Sequence, residues 1–341
     1  MQAHIRAIEY YLPEKILTNE QLALEYPEWS VKKIQDKTGI ANRHIAGDEE
    51  CSSDLAVAAA NKLFAQGACK PSDIDLILLC TQSPDFVLPT TACMLQERLG
   101  IPTTAGALDF NLGCSGFIYG LGMAKGMIET GQARNVLLIT AETYSKFIYP
   151  KDKSVRTIFG DAAAATWVTM REDAPEGGGP EIGPFVYGTD GKGAPHLIVP
   201  AGGMRKPRNA ETAKPTEDAH GNWRTQEHLY MHGHEIVSFA LKVVPKNVEA
   251  LLAKSNKSVA DIDLFVFHQA NRYMLDQLRK RLEIPEEKFY VAMQNCGNTV
   301  SSTIPIALKD AVADGKLKPG HRVVLAGFGV GYSWGAAFIR W

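Results

Sequence analysis

Ser72-Asp-Ile-Asp-Leu-Ile-Leu-Leu-Cys80 and Ala260-Asp-Ile-Asp-Leu-Phe-Val-Phe-His268 are one short pattern written twice, 188 residues apart. In each copy an Asp-Ile-Asp entry leads into a continuous apolar run, the signature of a strand covered on both faces. Downstream, Asn111-Leu-Gly-Cys114 is matched by Asn295-Cys-Gly-Asn298, and the turn glycine Gly131 by Gly315, both at an offset of 184. A stretch of helical period and then a second buried run follow in each case. Three matches in order, at nearly constant spacing, indicate that one α/β unit occurs twice. Apolar runs at 75–80, 136–140, 264–267 and 323–326 predict strands, and periodic stretches at 53–65, 91–99, 115–129, 234–253 and 272–282 predict helices. The alternation is that of an α/β chain. Ligands of such sheets gather at the carboxyl ends of strands. Cys114, His268 and Asn298 each fall just after a predicted strand, so a pseudo-twofold packing of the halves would bring them to one cleft.

Between the copies, 171–219 holds seven of the eighteen prolines and nine of the thirty glycines with little periodicity. It is expected to be an irregular connection or cap, between a first half at 1–170 and a second at 220–341. The 341 residues are 45% hydrophobic and 22% charged, ample for a core of this size. Lys plus Arg (36) nearly balance Asp plus Glu (38), which gives no reason to expect nucleic acid as a partner. The chain opens Met-Gln-Ala-His-Ile-Arg, without a basic stretch leading into an apolar run, so no signal peptide is expected. No apolar segment approaches the roughly 18 residues of a membrane helix. The six cysteines lack metal-type spacing and read as reduced thiols of a cytoplasmic protein.

One of those thiols stands apart. In Ala107-Leu-Asp-Phe-Asn-Leu-Gly-Cys-Ser-Gly116, Cys114 lies at a strand-to-helix turn between two glycines that keep its approach open. A thiol at a helix N-terminus is expected to have a lowered pKa, and backbone N–H groups there suit an oxyanion. From spacing alone Cys114 is either a nucleophile or a buried structural thiol. His268 is either a ligand-facing group or a satisfied core histidine, and Asn298 either a site residue or a turn former.

Further motifs decide among these. Lys37-Thr-Gly-Ile-Ala-Asn-Arg-His44, Gly113-Cys-Ser-Gly116, Phe159-Gly-Asp161, His268-Gln-Ala-Asn271, Gly297-Asn-Thr299 and Gly327-Phe-Gly-Val-Gly-Tyr-Ser-Trp-Gly335 occur in order along the chain. In this set the sequence resembles the β-ketoacyl-acyl-carrier-protein synthase III family of the thiolase superfamily, over nearly its whole length. The resemblance implies a thiolase fold, two duplicated halves forming a five-layered αβαβα sandwich. It implies an acyltransferase in which an acyl-CoA acylates Cys114. A malonyl thioester, on acyl carrier protein or CoA, then loses CO₂ while His268 and Asn298 hold the enolate. Backbone N–H groups at Cys114 and in the Val330–Gly331 turn would hold the second oxyanion. By the same resemblance Lys37 and Lys153 would contact the CoA phosphates, Asn271 the pantetheine arm, and Leu88 the acyl pocket. Arg272, Arg279 and Lys280, with Arg281, would dock the acidic carrier. CoA thioesters would be substrates, with no permanently bound cofactor and no metal, in a homodimer that contacts no membrane. Cys296 does not match a thiolase pattern and is expected to be structural.

Four positions depart from the family. Trp29 lies nine residues before Thr38, with Lys33 nearer the place of a CoA-stacking tryptophan. Leu88 stands where a pocket-limiting phenylalanine is common. The Gly-Asp-Gly-Ala-Gly run is Gly160-Asp-Ala-Ala-Ala164, and the middle glycine of the C-terminal loop is Val330. Together they suggest a specialised paralogue, in fatty-acid biosynthesis or in polyketide or secondary metabolism. The alternative activity is a non-condensing transfer from Cys114 to a carrier protein or small nucleophile. The His268–Asn298 pair favours condensation, because simple transfer needs no enolate site.

Overall fold

The structure is a computed structural model that describes residues 2–171 and 181–341. The first repeat strand is Leu76–Cys80 and the second Leu264–Phe267, and every residue of both is buried. Leu76–Cys80 pairs in parallel with Gly106–Phe110 on one side and Asn135–Glu142 on the other. Asn135–Glu142 then pairs antiparallel with Ala162–Arg171, which pairs with Gln2–Tyr11 to complete a five-stranded sheet. The second half repeats this order. Leu264–Phe267 runs parallel to Arg322–Gly329, and Ser333–Arg340 and Glu181–Thr189 follow antiparallel. A parallel bridge from Phe265 to Phe289 stands where the first half has Gly106–Phe110.

Both faces of both sheets are apolar, so each must be covered. Leu76 and Leu78 face the molecular centre, packing with Phe117 and Leu121 of the Gly116–Glu129 helix and Ile304 and Leu308 of the Thr303–Ala313 helix. Ile77 and Leu79 point outward, beneath Leu55 and Leu63 of the Ser52–Ala65 helix and Leu95 of the Thr91–Arg98 helix. On the opposite side, Phe265 and Phe267 pack with Val248 of the Gly233–Lys254 helix and Leu275 of the Arg272–Arg281 helix. The layers are therefore helix, sheet, helix pair, sheet, helix, the expected five-layered sandwich.

The stretch expected to be irregular departs from that expectation. Residues 172–180 lie outside the described residues, but Glu181–Thr189 is a nine-residue strand of the second sheet. It occupies the place that Gln2–Tyr11 holds in the first, so the second half begins near residue 181 and not at 220. Only the part after it is largely irregular, with short two-stranded ladders such as Leu197–Ile198 against Tyr230–Met231. Proline and glycine concealed the strand: it contains Gly183-Pro184, both disfavoured in strand interiors.

Candidate active site

Cys114, His268 and Asn298 line one cavity of about 540 Å³. Its walls are mostly apolar, including Phe159, Leu197, Met231 and Phe328, and Lys37, Asn271 and Tyr273 stand toward its rim.

Cys114 follows the Gly106–Phe110 strand and precedes the Gly116–Glu129 helix, with only 6% of its surface exposed. The end of the Arg322–Gly329 strand passes directly over it. A Cβ on Gly329 would fall 2.9 Å from both Cβ and Sγ of Cys114, which requires glycine there. The N–H groups of Cys114 itself and of Val330 face the sulfur and favour its anion. They do not prevail. Burial, reinforced by the Glu142 carboxylate, pushes the thiol up to about 12. The low pKa expected from a helix terminus is thus corrected: desolvation outweighs the dipole, and the thiol keeps its proton at neutral pH.

His268 sits just past the Leu264–Phe267 strand, where its N–H bonds the Ala326 carbonyl at 2.8 Å. Burial lowers its pKa to about 3, so the ring is neutral at physiological pH. Nδ1 lies 2.8 Å from Thr303 Oγ1, and Phe328 stands edge-on at 5.5 Å between ring centroids. Asn298 is held by the other half of the molecule. Its N–H donates to the Ile158 carbonyl at 2.9 Å, and its own carbonyl accepts from Gly160 at 3.0 Å. Its Oδ1 accepts from Val300 N at 2.9 Å. Val300 has a φ of 56°, a strained value for a β-branched residue, and closes this tight turn. With Oδ1 occupied, Nδ2 remains to donate; its contact to the Ala270 carbonyl is long at 3.5 Å.

Other expected positions divide. Asn271 caps the Arg272–Arg281 helix through Met274 N at 2.9 Å and lines the cavity. Lys37 also lines it, its ammonium 4.7 Å over the Trp29 ring, with Lys33 5.2 Å over the same ring. Trp29 is therefore engaged by two lysines. Lys153 makes a 2.6 Å ion pair with Glu28 and is only 15% exposed. Arg272 is paired with Asp276 at 3.0 Å. Arg279 is turned back toward the Ile284 carbonyl and Glu286, while Lys280 is exposed. The basic residues of this helix thus form no single free patch. Leu88 does not line the cavity; it is 83% exposed on a loop with Phe86 and Val87. Cys296 is buried, as expected of a structural thiol. Sequence alone missed Thr303, although Thr299-Val-Ser-Ser-Thr303 places four hydroxyls within one turn of Asn298. It also missed Glu142, a fully buried acid held by Gln82 N, Ser83 Oγ and Ser301 Oγ.

A cysteine at a helix N-terminus, a neutral histidine and an asparagine at the strand ends of a duplicated αβαβα sandwich define a thiolase-fold acyltransferase. Residues 108–191 match the family model described as 3-oxoacyl-[acyl-carrier-protein (ACP)] synthase III, and 252–341 match the model of its C-terminal part. The β-ketoacyl-[acyl-carrier-protein] synthase III of Caldanaerobacter subterraneus subsp. tengcongensis is 38% identical over 334 residues, 97% of this chain and 95% of that one. A crystal structure of a 3-oxoacyl-(acyl-carrier-protein) synthase III superposes over 100% of both chains at a TM-score of 0.97 and 56% identity. That of the Burkholderia xenovorans LB400 3-oxoacyl-(acyl-carrier protein) synthase superposes at 0.89 and 34% identity, covering 100% of this chain and 94% of that one. The chain belongs to the β-ketoacyl-acyl-carrier-protein synthase III family of condensing enzymes. No helix among the described residues is long and apolar enough to cross a membrane.

Proposed function

We propose that this enzyme primes on Cys114 with an acyl group from CoA and extends it with a malonyl thioester, carried on acyl carrier protein. The observation that carries this is the shared cavity of Cys114, His268 and Asn298, with two backbone N–H groups facing the sulfur. In the first half-reaction the thiol gives up its proton, the sulfur attacks the acyl thioester carbonyl, and CoA leaves as the thiol. Cys114 and Val330 N–H hold the tetrahedral oxygen. The turn expected to supply this group reaches as far as Gly331, but Val330 is the member whose N–H meets the sulfur. In the second half-reaction Asn298 Nδ2 and His268 Nε2 donate to the malonyl thioester carbonyl. The C–C bond to the carboxylate breaks, CO₂ leaves, and the electron pair becomes the enolate. That carbon attacks the acyl-Cys carbonyl, and collapse expels the Cys114 thiolate. A neutral histidine suits this role, since it donates without adding a buried charge.

Lys37 and Asn271 at the rim support passage of the CoA and pantetheine arm, and Arg272 is the basic residue best placed near the mouth for a carrier. Lys153, tied to Glu28, would have to exchange partners to take a phosphate. The enzyme works as a cytoplasmic homodimer without a resident metal or redox cofactor, in a specialised pathway. Labelled acyl-CoA followed by a denaturing gel tests the first step: label should remain on the wild type and be absent from Cys114→Ala. Asn298→Ala should still self-acylate but release little CO₂ from malonyl thioester. If Asn298→Ala condenses normally, Asn298 does not hold the enolate; if the wild type self-acylates but releases no CO₂, transfer without condensation is the better account.

A further inference from the structure

The buried carboxyl of Glu142, at the end of the Asn135–Glu142 strand, joins the two halves of the molecule. Its Oε2 accepts from Gln82 N at 3.1 Å and Ser83 Oγ at 3.2 Å, in the loop after the Leu76–Cys80 strand. Its Oε1 accepts at 2.8 Å from Ser301 Oγ, which lies in the second half, in the turn that begins at Asn298. That turn holds the asparagine unequally. Ile158 and Gly160 fix its backbone. They leave the side-chain amide able to rotate, and an amide turned half over would offer an oxygen lone pair to an enolate instead of an N–H. Val300 N–H, 2.9 Å from Oδ1, decides which way the amide points. Val300 keeps its φ of 56° only because its surroundings impose it. The residue that follows it, Ser301, is tied to Glu142. Ser302 Oγ, one place further, lies 2.8 Å from Thr140 Oγ1 and secures the end of the turn.

Resting on the enolate role of Asn298 proposed above, we propose that Glu142 is a positioning residue for condensation: through Ser301 it holds Val300 N–H against Asn298 Oδ1 and so keeps Nδ2 aimed into the cavity. Glu142 lines no part of that cavity and acts only through the turn. Gln82 and Ser83 meet the other carboxyl oxygen, so they brace the acid without lying on the path to Asn298.

The test measures the two half-reactions separately: labelling of Cys114 by the acyl-CoA that labels the wild type best, and CO₂ release by the acylated enzyme from a malonyl thioester labelled in its free carboxyl. Ser301→Ala should label within about twofold of wild type but release CO₂ about tenfold more slowly, less than the loss of a whole oxyanion donor. Ser83→Ala removes a hydroxyl from the same acid on the side away from Asn298, and its CO₂ release should stay within about threefold. Glu142→Gln can still accept from Gln82 N–H and donate to Ser301 Oγ, so it should stay in the same range. If Ser301→Ala does not fold, Ser301→Cys, a weaker donor of similar shape, takes its place with the same direction expected. Normal CO₂ release by the Ser301 variant beside a defective Asn298→Ala would overturn the role of Glu142 alone. Equal losses in Ser301→Ala and Ser83→Ala would also overturn it, since a merely structural acid treats both hydroxyls alike. Normal CO₂ release by Asn298→Ala would instead sink the enolate role, and this inference with it.

Discussion

Replacing Thr303 with valine should separate the two half-reactions. Thr303 Oγ1 lies 2.8 Å from His268 Nδ1 and 3.1 Å from the Val300 carbonyl, and its single proton can serve only one of them. Given to Nδ1, it leaves the ring proton on Nε2, a donor into the cavity. Given to Val300, it makes Nδ1–H the donor to Thr303 and leaves Nε2 a bare acceptor. The first state suits the enolate, the second suits a departing thiol proton. In Thr303→Val the hydroxyl is gone while the Val300 carbonyl still faces the ring. Nδ1–H is then favoured, and the donor to the enolate is lost most of the time. Deleting an oxyanion donor costs about 10²–10³ in rate, and a shifted tautomer, still reversible, should cost about 10–10². Thr303 and His268 are 3% and 2% exposed, so the lost hydrogen bond should also lower stability by about 1–3 kcal/mol. Rates should therefore be compared well below the variant's melting temperature. The assay is paired: single-turnover labelling of Cys114 by acyl-CoA, and CO₂ release from malonyl thioester. Labelling should stay within about threefold of wild type while CO₂ release falls at least about tenfold, and Thr303→Ser should restore it. Equal losses in both steps, or unimpaired condensation, would refute the tautomer role and leave Thr303 a packing residue.

Three further outcomes are expected. Gly329→Ala sets a methyl 2.9 Å from the nucleophile's Cβ and Sγ; overpacking of about 1–3 kcal/mol should displace the thiol and cut acylation sharply while circular dichroism stays native. Because burial pushes the Cys114 thiol up to about 12, its alkylation by iodoacetamide should still accelerate at pH 9–10, and a plateau near pH 7 would show a thiolate stabilised more strongly than the structure implies. Burial also raises Glu142 from 4.5 to about 8, so the folded state holds a proton that the unfolded state releases, and stability is full below pH 4.5 and falls as pH rises toward 8, at up to about 1.4 kcal/mol per unit. Asp161 is raised only to about 6 and the buried His268, lowered to about 3, contributes an opposite slope near pH 6.5 in both proteins, so the difference in melting temperature between wild type and Glu142→Gln from pH 7 to 8 reports Glu142, and the variant should lack the decline.

What the sequence disclosed followed from which residues pack on two faces. Leu76–Cys80 and Leu264–Phe267 are apolar throughout because helices cover both sides, so they read as strands without a partner in view. Gln2–Tyr11 carries His4, Arg6 and Glu9 and pairs by an antiparallel ladder that local pattern does not reveal. Ala162–Arg171 opens with four alanines, poor strand formers by propensity, yet tertiary packing holds them in the sheet. The same division holds in the site. Cys114, His268 and Asn298 were legible because the repeat and the motifs place them at strand ends. The thiol's raised pKa was not, because desolvation depends on the Arg322–Gly329 strand, more than 200 residues away in sequence, closing over the sulfur. Leu88 lies on an exposed loop away from its own chain's cavity, because motif position does not say where a loop points.

Duplication also explains why neither half could work alone. The first half supplies the sulfur and its helix, the second the histidine and the strand end that carries Val330. Asn298 belongs to the second half by sequence but is seated by the first, through the bridge between Phe159 and Asn298 and the bonds at Ile158 and Gly160. Thr140 to Ser302 and Ser115 to Ser333, both at 2.8 Å, join the halves again beside the nucleophile and the asparagine turn. Each joint is buried, so separating the halves would expose polar groups without partners and an apolar interface together. The distance between sulfur and enolate is thus set by contacts between the two sheets and their shared helix layer. A condensing site needs both reacting carbons held within reach without water, and a fold that locks two copies of one unit face to face meets that need before any substrate enters.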